Sequence, residues 1–483
     1  MRKGLTIILF TLIFIACNDD ADIRVSKYYE INDFIWHAMN TYYYWVDDVD
    51  DLSNAKTVSN RAYNSFLTKT HDPEDFFNGL LYKKDVVDRF SWIVDDYDEL
   101  EDSFQGISKS FGYDFGLIFM PDGFNIYGYV RYVIPDSPAD HAGLKRGDLF
   151  RAVNNTPLNY DNYLPLLTGN DSYTLTLATK INDVVLSSDL KVSMDAIELI
   201  ENPIFLSKVL QAGDKQVGYL LYNQFINNDE YHEQLNQVFG DFKSQGISEL
   251  ILDLRYNRGG SLLTARILSS LVYSAGNSND LLGTIVCNRK LSYLNSDILF
   301  LPEIPIHNAD GDVVSSIPME RLNINRIYIL TSGATASASE FVIVGLQPYM
   351  DVKVIGTKTV GKNVGSSTLY DSNDFSASSF RNPDHKYALQ PIIFQLANSV
   401  GFKDYTSGLQ PDIWVNEYNY LEEGLFPLGD PEEPLLATAL ADISGESARV
   451  TYDSYIGLDI MDGPKDGVEL LKSTIVDDRD ISY

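Results

Sequence analysis

The chain has 483 residues, 45% of them hydrophobic and 22% charged, which suggests roughly two to four domains and excludes wholesale disorder. Its formal net charge of −31 excludes the basic footprint that nucleic-acid binding requires. The 31 tyrosines and 24 phenylalanines supply apolar area for several cores.

Arg2 and Lys3 form a basic start, and Leu5 to Ile15 is an apolar run too short to span a bilayer comfortably. It ends in Phe14-Ile15-Ala16-Cys17, which resembles a bacterial lipobox. That implies cleavage before Cys17 and acylation of its thiol; the alternative is an ordinary secretory signal with an incidental cysteine. Asn18-Asp19-Asp20 resembles the export tags of surface lipoproteins in Bacteroidetes-like bacteria. Beyond Cys17 only Cys287 remains, so no internal disulfide is expected and stability rests on packing.

Residues 18–28 read as a tether and 29–105 as an N-terminal helical domain. Ile31, Phe34, Ile35, Ala38, Met39 and Tyr42 share one helix face. Tyr42-Tyr43-Tyr44-Trp45 is an aromatic knot suited to core packing. Asp95 to Asp102 reads as an acidic turn or linker.

Over 106–197 the pattern changes to short strands and turns. Gly116-Leu117-Ile118-Phe119 precedes Ser137-Pro138-Ala139, Ala142-Gly143-Leu144, Gly147-Asp148 and Val153-Asn154. Pro138 starts a short helix, Gly143 ends it, and Gly147-Asp148 turns into a strand. The set resembles a PDZ domain, which implies that residues 116–119 form a loop holding a peptide carboxylate in backbone N–H groups.

From 198 to 445 strands and helices alternate. Val217 to Tyr222 reads as a strand, and Tyr231, Leu235, Val238, Phe239 and Phe242 give a helix stripe. Leu250 to Leu254 is a buried strand, and a helix runs from Leu262 to about Tyr273. Arg326 to Leu330 and Val354 to Gly356 are further strands. This alternation implies βαβ units. Residues 276–320 read as an excursion from the sheet, and the acidic tail 446–483 takes no assignment.

Chemistry concentrates in three segments. Gly333-Ala334-Thr335-Ala336-Ser337-Ala338-Ser339-Glu340 joins a strand to a helix, so a serine at the positive end of the helix dipole can support developing negative charge. From that stretch alone, a serine capping an ordinary helix serves equally well. Asp253-Leu254-Arg255 followed by Gly259-Gly260 places paired glycines at a strand end, where backbone N–H groups can face a ligand. Thr359-Val360-Gly361-Lys362 places a lysine in a loop after a strand. Together the three resemble the catalytic set of the C-terminal processing (tail-specific) peptidases, and the N-terminal region resembles the extra domain of their Bacteroidetes lipoprotein members.

The resemblance implies an α/β fold with a crotonase/ClpP-like βαβ core, preceded by the PDZ-like β domain and the helical domain. It implies Ser337 as nucleophile and Lys362 as general base, with an oxyanion hole from the backbone of Gly259 or Gly260 and of Ala338. Gly408, Pro411 and Asp412 resemble a late landmark of the family. Lys362 must then be desolvated, because a lysine at its free pKa near 10.4 is charged and takes no proton.

Two positions depart from the family. Ser366 stands where many members carry a glutamine thought to orient the lysine, so Ser366 or Ser367 is the substitute; Pro348 stands where some carry an acid. Glu340 matches the family's glutamate, with a structural role at the helix start. The six histidines (37, 71, 141, 232, 307 and 385) show no metal-ligand spacing, so neither metal nor cofactor is expected. The expected partners are polypeptide substrates and, through Cys17, a membrane, with an extracytoplasmic location. A peptide-binding scaffold without turnover is the alternative.

Overall fold

The computed structural model describes residues 29–181, 184–273, 279–308, 311–322, 324–422, 424–446 and 475–476. Cys17 lies outside them. Among the described residues no helix is long and apolar enough to cross a membrane.

Helices α1 (Glu30–Tyr42), α2 (Asn60–Leu67) and α3 (Pro73–Gly79) form the N-terminal part. The face read from the sequence is the buried one: Phe34, Ile35, Ala38, Met39 and Tyr42 all lie inside, and Tyr43 with them. The stretch read as an acidic linker is instead helix α4 (Tyr97–Phe104). Asp96 caps it by accepting from Asp98 N at 2.9 Å, and Leu100 is buried.

The next unit is a sheet of β1 (Tyr113–Phe119), β2 (Ile126–Val133), β3 (Leu149–Val153), β4 (Ser172–Ile181) and β5 (Val184–Asp195), paired antiparallel in that order. Strand β1 lies at its edge. A short helix at Tyr163–Thr168 closes the core around Leu117, Phe150 and Leu175.

The largest unit holds two sheets. The first comprises β6 (Ile204–Ala212), β7 (Lys215–Tyr222), β8 (Glu249–Asp253), β12 (Arg326–Thr331), β13 (Asp351–Gly356) and β16 (Ile413–Trp414), neighbours in that order and parallel from β7 onward. Side chains alternate between faces along each strand. Leu250, Leu252, Ile327 and Ile329 face the core that includes α5 (Asp229–Ser244), α6 (Leu262–Val272) and α7 (Ala338–Leu346). Ile251, Tyr328 and Leu330 face α8 (Pro434–Ser444) through Leu435, Leu436, Ala439 and Ile443. Burial on both faces explains the continuous apolar runs, and each such leucine or isoleucine contributes about 1.5–3 kcal/mol.

The second sheet runs β9 (Gly260–Ser261), β17 (Ile475–Val476), β14 (Val364–Ser366), β15 (Ile392–Asn398), β10 (Leu281–Cys287) and β11 (Ser296–Leu299). The excursion expected over 276–320 therefore supplies two of its strands, β10 and β11. Every residue of α7 is buried, its carboxylate Glu340 along with the apolar run Phe341–Leu346.

Candidate active site

Strand β12 runs into a tight turn before α7, and Ser337 sits at the junction with φ 62 and ψ −116. A non-glycine residue in that region costs roughly 1–3 kcal/mol and persists only where its surroundings fix it. They do so here. Thr335 Oγ1 donates to Leu254 O at 2.8 Å, and Ser332 N donates to Thr335 Oγ1 at 2.9 Å. Asn257 O receives both Ala336 N at 3.2 Å and Ser339 Oγ at 3.0 Å. Ser337 is 1% exposed, and its Oγ has no hydrogen-bond partner among the described residues.

Glu340, one turn into α7, joins the serine to the lysine loop. One of its carboxylate oxygens accepts from Ser337 N and Lys362 N, both at 2.8 Å. The other accepts from Gly361 N at 2.8 Å and from the Thr359 hydroxyl. The backbone nitrogens of Ser337 and Lys362 are therefore no further apart than two hydrogen-bond lengths. The structural role read for Glu340 is thus a clamp between the two loops. Burial raises its pKa, while the donors it accepts from act the other way.

The lysine loop is buttressed from two sides. Thr359 N donates to Leu409 O at 3.1 Å and Leu409 N to Thr359 Oγ1 at 2.8 Å. Gly361 and Gly408 both have positive φ, and a Cβ on Gly361 would fall 2.4 Å from Gly408 N. Asp412 Oδ2 accepts from Val354 N at 2.8 Å, so the Gly408–Asp412 segment braces the loop. From the N-terminal part, Arg89 donates to Gly361 O at 3.0 Å and Thr406 O at 3.1 Å.

Lys362 is 1% exposed. Its side-chain nitrogen lies 4.8 Å from the centre of the Phe90 ring. Burial pushes its pKa down to about 7; Asp88 and Glu340 oppose the shift and Arg89 aids it. A large part of the side-chain population is then uncharged near neutrality, which a general base requires. With Ser337 Oγ unbonded, the hydrogen bond between the two side chains is not made in this arrangement. Catalytic bonds of this kind often tighten only when substrate is in place.

The expected oxyanion donors separate. Ala338 N–H occupies the first position of α7, where a helix has no internal acceptor. It lies 3.0 Å from where a Cβ on Gly259 would stand. Gly259 also abuts Ser337, but its N–H donates to Asn257 Oδ1 at 2.9 Å, so this expected donor is already engaged. Gly260 is turned toward Phe225, whose carbonyl oxygen lies 2.3 Å from its Cβ direction.

Two other expectations are corrected. Ser366 Oγ has no hydrogen-bond partner among the described residues, so Ser366 does not orient Lys362 here. Gly116, Leu117, Ile118 and Phe119 do not form a loop. They lie in β1, paired with Tyr129, Gly128, Tyr127 and Ile126, and Gly116 leaves room for the Tyr129 ring. Strand β1 is the terminal strand of its sheet among the described residues.

Sequence reasoning missed Asp88, Arg89 and Phe90, which close the site over Lys362. It also missed Arg146, which ties the β1–β5 unit to the Tyr256–Gly260 loop. Arg146 donates to Tyr256 Oη at 2.5 Å, to Glu417 at 2.9 Å and to Phe426 O at 2.8 Å. Tyr256 adjoins Arg255, whose guanidinium is fully buried and paired with Asp253 and Glu433.

The chain is similar to known proteins along most of its length. Residues 216–413 match peptidase family S41, residues 30–92 the peptidase S41 N-terminal domain, and residues 129–179 a PDZ domain. A carboxyl-terminal-processing protease of Picosynechococcus sp. is 28% identical over 236 residues, covering 48% of this chain and 50% of that protein. The chain spans about half the length of the curated relatives it matches. A Bacteroides fragilis crystal structure assigned to the S41 proteases superposes with a TM-score of 0.65 at 28% identity, covering 85% of this chain and 97% of that one. The photosystem II D1 C-terminal processing protease shares the fold, with a TM-score of 0.51 at 16% identity over 87% of this chain and 99% of that one.

Proposed function

Since the chain belongs to peptidase family S41, with that family's N-terminal domain and a PDZ domain alongside its peptidase domain, we propose that it is a serine endopeptidase cutting extracytoplasmic polypeptides near C-terminal or unfolded segments. Ser337 is the nucleophile and Lys362 the general base. The observation that carries this reading is the buried Lys362, whose backbone N–H Glu340 binds on the same oxygen as that of a strained, buried serine.

In this mechanism the neutral amine takes the proton from Ser337 Oγ as the oxygen attacks the scissile carbonyl. Ala338 N–H donates to the oxyanion that forms. The ammonium of Lys362 then returns its proton to the departing amine, leaving an acyl-enzyme. Water, deprotonated by the same amine, then attacks the acyl carbon; the bond to Ser337 Oγ breaks, Lys362 returns the proton to Oγ, and the acid leaves. The open edge of β1 receives an extended peptide as an added strand. Acylated Cys17 anchors the protein to a membrane on its extracytoplasmic side.

A second reading, peptide capture without turnover, draws on one observation: the hydroxyls of Ser337 and Ser366 have no hydrogen-bond partner among the described residues, so the Ser337 and Lys362 side chains are not joined. One experiment separates the two. An unfolded protein is incubated with the wild type and with Ser337→Ala, and the products are mapped by mass spectrometry. Cuts made by the wild type alone support the peptidase; equal cutting, or none by either, overturns it.

A further inference from the structure

Strand β9 follows directly from Gly259, the residue whose Cβ direction ends 2.7 Å from Ser337 Cβ. Strand β14 begins at Val364, two residues after Lys362. These two strands, one from the nucleophile side and one from the base side, do not pair with each other. The chain's own C-terminal segment joins them. Ile475 and Val476 pair in parallel with Gly260 and Ser261, and Val476 also pairs in parallel with Ser366. Two backbone positions thus complete a six-stranded sheet that would otherwise break at the catalytic loops.

A strand held through its main chain is the form in which a peptide of arbitrary sequence can be bound. One of the two edges that hold this one follows Gly259, which abuts Ser337, and the other follows Lys362 by two residues. The attachment also allows the segment to reach the site in cis. Residues 445–474 separate it from the end of α8, a length of chain that could reach roughly 100 Å. A tethered segment competes at an effective concentration in the millimolar range, far above that of dilute substrate.

We infer that the edges at Gly260–Ser261 and at Ser366 form the strand track for substrate, and that the segment at Ile475–Val476 is its resident occupant, a tethered competitor that leaves before another polypeptide is cut. The consequence for cutting rests on the peptidase reading above; the occupancy is a separate claim about binding.

The test uses the full chain, a chain ending at Lys472, and the full-length double variant Ile475→Pro, Val476→Pro, in which both positions lose the N–H needed for pairing. In a Ser337→Ala background, a fluorescent peptide with the sequence of residues 470–480 is titrated against all three. Both altered chains should bind it about tenfold more tightly than the full chain, as relief from a tethered competitor requires. With Ser337 present, KM for an unfolded protein should fall by a similar factor while kcat holds. Trimming of the wild-type chain near residue 475, absent from Ser337→Ala, would support the proposal by showing the segment in cutting register. Equal peptide affinity in the three proteins would overturn it, as would loss of affinity on removing the segment. If affinity rises as expected but no protein cuts, the peptidase reading fails while the occupancy stands.

Discussion

The side-chain nitrogen of Lys362 lies over the ring of Phe90, 4.8 Å from its centre. The lysine follows a strand of the peptidase sheet, and the phenylalanine comes from the N-terminal part. The ring helps exclude the water that would keep an ammonium charged, and burial is the largest cause of the lowered pKa. Under the proposed mechanism only the uncharged amine accepts the serine proton, so wild-type kcat/KM should rise with pH through about 7 and level off above it. Phe90→Ala admits water, so the rising limb should move up by roughly one pH unit. An unmoved midpoint in a variant that still melts cooperatively would show that Phe90 does not control the base.

The same burial makes Lys362 a liability for the fold. Its folded-state pKa is about 7 against an ordinary 10.5, so the unfolded chain binds the extra proton between those values. Stability from this group therefore rises as pH climbs from about 7 to 10.5, and the full penalty applies below pH 7. The shift corresponds to about 4–5 kcal/mol. Lys362→Met should be inactive yet more stable. Its advantage in urea unfolding should be greatest below pH 7 and shrink toward pH 10.5. A destabilised methionine variant at neutral pH would contradict the lowered pKa.

Much of this architecture is legible from local pattern. The run Leu250–Leu254 reads as a strand because β8 is covered on both faces, and the stripe Leu235, Phe239 and Phe242 reads as a helix because one face of α5 is buried. The turn at Ser337 is a local pattern shared with any capping serine, and a lysine between glycines is ordinarily exposed, so both residues stand out in the sequence only through the family resemblance. Phe90 and Arg146 do not stand out, since each acts on residues far along the chain and no spacing records that. Two misreadings had usable signals. Leu117 and Phe119 alternate as a strand does, and Asp96 before Tyr97, Leu100 and Phe104 is a capped helix pattern hidden by its acidity.

Gly259 has φ 107, and a Cβ there would stand 2.7 Å from Ser337 Cβ and 3.0 Å from Ala338 N. Both neighbours are backbone-fixed, so neither can swing away. Gly259→Ala should displace the nucleophile and the oxyanion donor together and lower kcat by about 10²-fold, the scale of loss for a misplaced reacting group. KM should change less. Wild-type turnover in this variant would remove the Gly259 loop from the catalytic geometry.

Glu340 satisfies three backbone N–H groups and one hydroxyl. In Glu340→Gln an amide must replace one oxygen, and whichever way it turns it sets its NH2 against donors. Each buried donor left unsatisfied costs about 1–3 kcal/mol. The variant should lose stability on that scale and lose kcat more than binding, because the nucleophile and base loops are no longer fixed to one oxygen. Peptide affinity measured in the Ser337→Ala background separates the effects: it should stay near wild type. A fall in affinity equal to the fall in kcat would mean that Glu340 shapes the binding track rather than the catalytic pair.

Arg146 reaches from the PDZ unit to Glu417 at 2.9 Å and to Tyr256 Oη at 2.5 Å. Tyr256 belongs to the segment that ends in Gly259 and Gly260, and its hydroxyl also donates to Glu417 at 2.7 Å. All three groups are nearly excluded from water. Removing one partner of a buried ion pair strands the other and costs about 3–5 kcal/mol. Arg255 also contacts Glu417, at 3.4 Å, so part of the stranded charge is compensated and the cost should fall at the lower end. Arg146→Met should release the PDZ unit before the peptidase core melts, giving two calorimetric transitions where the wild type gives one. It should also lower kcat, since Tyr256 loses the cation that holds it beside Gly259 and Gly260. Arg146→Lys keeps a charge but not the fork that reaches several acceptors at once, so it should restore the joint transition only in part. A single unshifted transition in the methionine variant would show that the interface is held by its apolar contacts, Tyr129 against Tyr418 among them, and not by this cation.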